Sequence, residues 1–279
     1  MRSLRSLLSS VPAALLVALA AAACTNEAST EPGDQPADAG KPTTLGNGLR
    51  IADINTPEAG FAAETGVQQN VTVTGATFLV KDTYAEDGLA NSVGNIYVQD
   101  FTAPDAAGVP YSGMELYKSV LEPASLVLAP GDVIDFNGEY ERSFCAAPGE
   151  CFYGPEMYEP DVTFRFDYTP PSPTLIPVSD LETTATGNAW YFMLVQIQDT
   201  YGGGWIEGSK PGECSVFLTS DTGQMGVAMD NSLFDLPCSS GLFNPDAGVV
   251  HFKSVTGIVN NYGNFRIEPR SMDDIVIGD

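Results

Sequence analysis

The chain reads as an all-β protein: two tandem five-stranded small barrels that follow an export signal and a disordered tether. Three observations predict this. The 279 residues include 28 Gly and 20 Pro and few long helix-forming runs, a composition that breaks helices and supplies turns. Several segments alternate apolar and polar side chains with the period of a half-buried strand: Val71 and Val73 with Thr72 and Thr74, Ile96 and Val98 with Tyr97 and Gln99, Val162, Phe164 and Phe166 with Thr163 and Arg165, Phe265 and Ile267 with Arg266 and Glu268. The sequence also repeats itself at an offset of about 120 residues. Val71-Thr-Val-Thr falls opposite the Trp190 to Gln198 run, Ile96-Tyr-Val-Gln opposite Val216-Phe-Leu-Thr, and Asp135-Phe-Asn-Gly138 opposite Ser254-Val-Thr-Gly257. Barrel closure hides the edges that a short open sheet would leave for aggregation.

The elements follow in order. Arg2 and Arg5 give a positive start, Val11 to Ala23 an apolar run too short to span a bilayer, and Ala21, Ala22 and Ala23 lead into Cys24. Residues 1–23 read as a secretory signal. The pattern resembles the bacterial lipoprotein signal, in which the cysteine becomes the lipid-carrying first residue. The resemblance implies a lipidated Cys24, attachment to a membrane through that lipid, and, with Thr25 next to it, sorting to the outer membrane of the cell envelope. Residues 24–48 hold Cys24 and a small, polar, proline-bearing stretch that cannot bury enough apolar area to offset its ordering entropy, hence a flexible tether. Residues 49–168 form the first module, 169–177 a proline-rich linker, and 178–279 the second module.

Gly94-Asn-Ile-Tyr-Val-Gln-Asp100, Ser112-Gly-Met-Glu-Leu-Tyr117, Ala129-Pro-Gly-Asp-Val-Ile-Asp-Phe-Asn-Gly138 and Asn264-Phe-Arg-Ile-Glu-Pro-Arg-Ser-Met-Asp-Asp-Ile275 resemble the strand pattern of OB-fold-like modules, which occur in bacterial surface lipoproteins and beside secreted nucleases. The resemblance implies five-stranded barrels whose ligands meet one face and the loops after the first and fourth strands. A fold alone fixes no function.

The remaining cysteines, Cys145, Cys151, Cys214 and Cys238, are even in number, as suits disulfides in an exported chain. Of the three pairings, Cys145 with Cys151 and Cys214 with Cys238 close the shortest loops. The formal charge is −24, and loss of Arg2 and Arg5 with the signal leaves the remainder more acidic still. A field of that sign opposes nucleic acid, whose binding draws much of its affinity from Lys and Arg on phosphates. Neutral glycans, peptides or basic proteins suit it better.

Catalytic motifs are sparse. His251 is the single histidine, in a strand-like run, and there is no G-x-S-x-G elbow, H-E-x-x-H pair or Walker A loop. Gly202-Gly-Gly204 lacks the Lys-Ser/Thr of a phosphate cradle and reads as a hairpin loop. Asp82, Glu86 and Asp87 before Gly88 could ligate calcium, against the plainer reading of a solvated acidic hairpin. Asp273 and Asp274 read as surface acids after the last strand. Carboxylates are abundant enough to keep glycoside hydrolysis open, which requires two of them converging in a cleft.

Loop aromatics are the more specific signal. Tyr84 is expected after the first strand of module one and Tyr201 with Trp205 in the matching loop of module two. Phe144, Phe152, Tyr153 and Tyr158 are expected around the Cys145 and Cys151 bridge after the fourth strand, with Tyr262 in the corresponding later turn. Such rings stack on sugars or bases, or cap their own core. The expectation is a lipid-anchored, non-catalytic binding protein without a cofactor. The rivals are a carboxylate-dependent hydrolase and a nucleic-acid-binding accessory of a secreted nuclease.

Overall fold

The computed structural model describes residues 47–57, 68–82, 95–102, 106, 108–141, 144–147, 150–152, 154–207, 214–219, 225–234, 236–239, 242 and 249–278. The expected signal, Cys24 and nearly all of the tether lie outside them.

The first barrel is built from β1 (Gln68–Lys81), β2 (Ile96–Asp100), β3 (Gly113–Tyr117), β4 (Val120–Glu122), β5 (Val133–Glu141), a hairpin of β6 (Phe144–Ala147) and β7 (Glu150–Phe152), and β8 (Glu156–Phe166). The second uses β9 (Thr174–Leu175), β10 (Leu194–Glu207), β11 (Cys214–Thr219), β12 (Met225–Asp230), β13 (Val250–Asn261), β14 (Phe265–Glu268) and β15 (Ile275–Ile277). In barrel one β1 pairs with β2, β2 with β3, β3 in parallel with β8, β8 with β5, and β5 back with β1. Barrel two closes in the same way through β10, β11, β12, β14 and β13, with β12 and β14 as the parallel pair. Numbering each set of five in chain order gives 1-2-3-5-4-1, the order of a closed OB-type barrel.

The repeat read from the sequence holds at its offset for the second and fourth strands, while the first strand matches a few residues further along. Val71 faces Gly138 as Val195 faces Gly257, and Phe78 faces Val98 as Gly202 faces Leu218. The bend is duplicated too. β1 must pair with β5 along its start and with β2 along its end, and it turns at Gly75, φ +69°, whose N–H donates to Asp135 Oδ1 at 2.9 Å. The equivalent residue in β10 is Asp199, φ +48°, a residue type that tolerates the left-handed region.

Each barrel has its own core. Val73, Ile96, Val98, Met114, Ile134, Phe136 and Met157 fill the first, and Val195, Ile197, Leu218, Met229, Phe252, Ile258 and Ile267 the second. A short helical element precedes each first strand and sends aliphatic side chains inward: Ile51 and Ile54 from α1 (Ile51–Asn55), Val178 and Leu181 from a single 3-10 turn, which α2 (Thr184–Gly187) follows. Asp100 at the end of β2 accepts from the N–H of Ile51 and Ala52 at 2.8 and 2.9 Å and fixes the start of α1. The connections between third and fourth strands also pack inward, Leu121 in barrel one, Leu233 and Leu242 in barrel two. A Cys214–Cys238 disulfide staples the second of these to β11.

The segment 169–177 is packed rather than a free linker. Thr174–Leu175 pairs in parallel with β10 and Ile176 joins the second core. Proline forbids helix there, but an extended chain that carries an apolar anchor can still be a short edge strand.

Candidate functional site

OB-type barrels bind on the face of their second and third strands, and in barrel one the outer side chains of β2 on that face are Tyr97 and Gln99. Both are sealed by the second barrel. The Tyr97 ring stacks on Phe192 with centroids 5.5 Å apart, and Gln99 Oε1 accepts from Leu194 N at 3.1 Å. Tyr111 N donates to Ala189 O at 2.7 Å, Gly108 N to Thr174 Oγ1 at 2.8 Å, and Ser112 Oγ lies 3.7 Å from Met193 Sδ. Gly113 runs beneath the backbone of 191–193, where a side chain would collide. Tyr111 and Phe192 hold φ values of +67° and +56°, strained for aromatic residues, so this seam over-determines its backbone. Alternation alone placed Tyr97 and Gln99 on the outer face. An aromatic ring in the polar phase of that strand is the signal of a covered surface.

At the edge of the seam lies a buried polar group from barrel two. Asp230 ends β12 and Glu268 ends β14, each one residue beyond the paired Met229 and Ile267, so the two acids sit side by side at 0% and 1% exposure. Arg266 Nη1 donates to Asp230 Oδ2 at 2.7 Å, and Ser232 N donates to Asp230 Oδ1 at 3.0 Å. Asn260 Nδ2 donates to Tyr262 Oη at 3.0 Å and reaches Tyr97 Oη of barrel one at 3.5 Å. Burial pushes the Glu268 carboxyl well above the usual range and the Asp230 carboxylate raises it further, against Arg266 and a hydrogen bond from Asn260. Burial likewise raises Asp230, opposed by Arg266.

The duplication shows what barrel one holds at these positions. Tyr117 and Tyr158 face one another across β3 and β8 as Asp230 and Glu268 do across β12 and β14. Their rings stack with centroids 5.6 Å apart, and Lys118 Nζ lies 4.9 and 5.7 Å from the two centroids, within cation–π range. Both tyrosines are only half-buried. Lys118 and Glu159, the residues that follow them, are left-handed at φ +54° and +45°. Tyr158 was readable as a candidate; Tyr117, in a regular strand, was not.

Tyr262 does occupy the turn between fourth and fifth strands, 52% exposed, with the Arg266 guanidinium 4.7 Å from its ring centroid. Tyr201 and Trp205 are not in a loop: both lie within β10, and Gly202-Gly-Gly204 is strand as well. Gly202 continues the strand because it passes under the Phe252 ring, where a Cβ would lie 2.5 Å from Cε2, and the pairing with β11 shifts between Gly203 and Trp205. Tyr201 stacks on His251, centroids 4.8 Å apart, and His251 Nε2 is 3.8 Å from Asp199 Oδ1. Asp273 is exposed, but Asp274 is buried against Arg270 at 2.8 and 2.9 Å and precedes a further strand, β15.

The Cys214–Cys238 bridge is formed, while Cys145 and Cys151 face one another across the β6–β7 hairpin in backbone register. The side chains of Cys145, Cys151, Phe144, Phe152 and Trp205, and the whole of Tyr84, Glu86, Asp87 and Tyr153, lie outside the described residues. Asp82 donates its N–H to Asn95 O at 2.9 Å. Among the described residues no group of three or more His, Cys, Asp or Glu could hold a metal ion, and no helix is long and apolar enough to cross a membrane. No protein-family model matches the chain, and no curated protein matches it significantly.

Proposed function

We propose that the chain is a lipid-anchored cell-envelope protein whose two OB-like barrels act as one non-catalytic body that binds a neutral glycan, a peptide or a basic protein. Support for the anchor is the run from Arg2 to Cys24; support for a single body is the interlocked seam, within one unit spanning Pro42–Asp279. The observation that carries the binding reading is the exchange between equivalent positions. Barrel two places two carboxylates side by side where no substrate reaches them, while barrel one places two stacked, half-exposed tyrosines there. Hydrolysis needs its acids at the bond to be broken, whereas stacking needs only an accessible ring. Lys118 adds a hydrogen-bond donor beside the rings for a hydroxyl or carbonyl of the ligand.

The test compares wild type with Tyr117→Ala and Tyr158→Ala across glycans and basic peptides, with circular dichroism as the check on folding. Each substitution is expected to weaken binding about threefold to tenfold, the worth of roughly 0.5–1.5 kcal/mol of stacking. Unchanged binding by both variants would remove the tyrosine platform, and glycan cleavage lost in Glu268→Gln would establish the hydrolase instead. Cys24→Ser should release the protein from the membrane fraction and abolish the mass of an attached lipid.

A further inference from the structure

We propose that Glu268 is a proton-operated latch between the barrels: with its proton in place barrel two rests against Tyr97 of barrel one, and without it the two faces separate. Glu268 is buried, its Oε1 has no hydrogen-bond partner, and it stands beside the Asp230 carboxylate. An ionised carboxylate with a bare buried oxygen next to another carboxylate is among the costliest arrangements a protein interior can hold, and a proton relieves it. Of the two acids, Asp230 keeps the negative charge, because Arg266 and the Ser232 N–H both donate to it. The proton therefore resides on Glu268.

The surroundings tie that proton to the seam. Facing Glu268 are Arg266 from its own strand, Asp230 from β12, Asn260 from β13, Tyr262 from the following turn, and Tyr97 and Asp82 from barrel one, with Glu115 of barrel one beside Tyr97 and Tyr262. Arg266 is the one cation in this set, so ionisation of Glu268 adds negative charge to a group already rich in it. Burial and Asp230 both push its carboxyl upward. The folded pKa is raised, so the closed seam is favoured fully at acid pH and is lost as pH rises through the folded value. Asn260, which links Glu268 to the Tyr97 hydroxyl, carries the change across. The latch does not depend on which ligand the protein binds.

Hydrogen exchange on the full chain tests this, read by mass spectrometry as the ratio of seam amides (96–100 and 191–194) to core amides of β5, which cancels the chemical pH dependence. In wild type the seam ratio should rise by up to about tenfold per pH unit between the ordinary glutamate range and the raised midpoint, and level off above it. In Glu268→Gln, which mimics the neutral acid, it should be flat. A flat ratio in wild type overturns the proposal, as does a slope that survives Glu268→Gln or disappears in Asp230→Asn alone. Should Glu268→Gln fail to fold, carboxyl-carbon NMR of wild type decides: a Glu268 resonance that titrates in the ordinary glutamate range refutes the latch, and one that titrates well above it together with the wild-type slope upholds it.

Discussion

Gly113→Ala should push the barrels apart at their seam. A Cβ at Gly113 would lie 2.6 Å from the carbonyl carbon of Phe192 and 2.7 Å from Met193 N, and it would meet the Tyr191 carbonyl oxygen most closely of all. These are backbone atoms and cannot rotate away, so the 191–193 segment must move outward by most of an ångström. Such overpacking costs about 1–3 kcal/mol, and the displacement also strains the bonds from Leu194 to Gln99 and from Tyr111 to Ala189. For a body of this size each kcal/mol lowers the melting temperature by roughly 2–4 °C, so a fall on the order of 5 °C is expected. Gly203→Ala is the control, because a Cβ there has nothing within 4 Å and its φ lies outside the left-handed region. Differential scanning calorimetry reads both. If Gly113→Ala melts with Gly203→Ala and leaves seam exchange unchanged, the barrels do not depend on this contact.

Reduction of Cys214–Cys238, or its replacement by serines, should cost about 3.5 kcal/mol from the loop it closes, seen as a lower urea midpoint that reductant produces in wild type but not in the variant. Asp100→Ala should cost about 2–4 kcal/mol, because it strips the N–H groups of Ile51 and Ala52 and the Arg50 guanidinium of their buried acceptor; wild-type stability would refute the anchoring of α1. Burial pushes Asp100, Asp230 and, well beyond the ordinary range, Glu268 upward, so between the ordinary carboxylate range and each raised value the folded state binds protons that the unfolded chain releases, Asp230 giving up its proton before Glu268. Stability should therefore be fullest at and below the ordinary carboxylate range and decline as pH rises through the raised values, by up to about 1.4 kcal/mol per pH unit for each group. Urea titrations at several pH values check this, and a stability that climbs with pH would contradict it.

The barrels were legible because alternation and repetition are local properties. Ile96-Tyr-Val-Gln and Val216-Phe-Leu-Thr match in sequence and lie in the same register in space, since a one-residue slip would turn every apolar side chain out of its core. What the pattern could not convey was which outer faces are covered. Tyr97 and Gln99 obey the rule for exposed positions and are buried only because a segment almost a hundred residues later lies on them. The glycine run 202–204 failed for a related reason: glycine reads as a turn locally, and only the Phe252 ring, supplied by a distant strand, explains why it remains extended. Asp230 drew no reading from the sequence and Glu268 counted only as a polar residue in the β14 alternation; their meeting depends on a parallel pairing that leaves no local trace.

The seam also sets an order of events during synthesis. The first barrel can close as soon as β8 has emerged, yet Leu79, Tyr97 and Gln99 stay wet until the chain through Leu194 arrives. For that interval the newborn protein displays an oily ledge with an unsatisfied amide, the kind of surface to which chaperones cling and on which neighbouring molecules exchange arms. Any shortened form that stops before Leu194 would keep that ledge permanently bare.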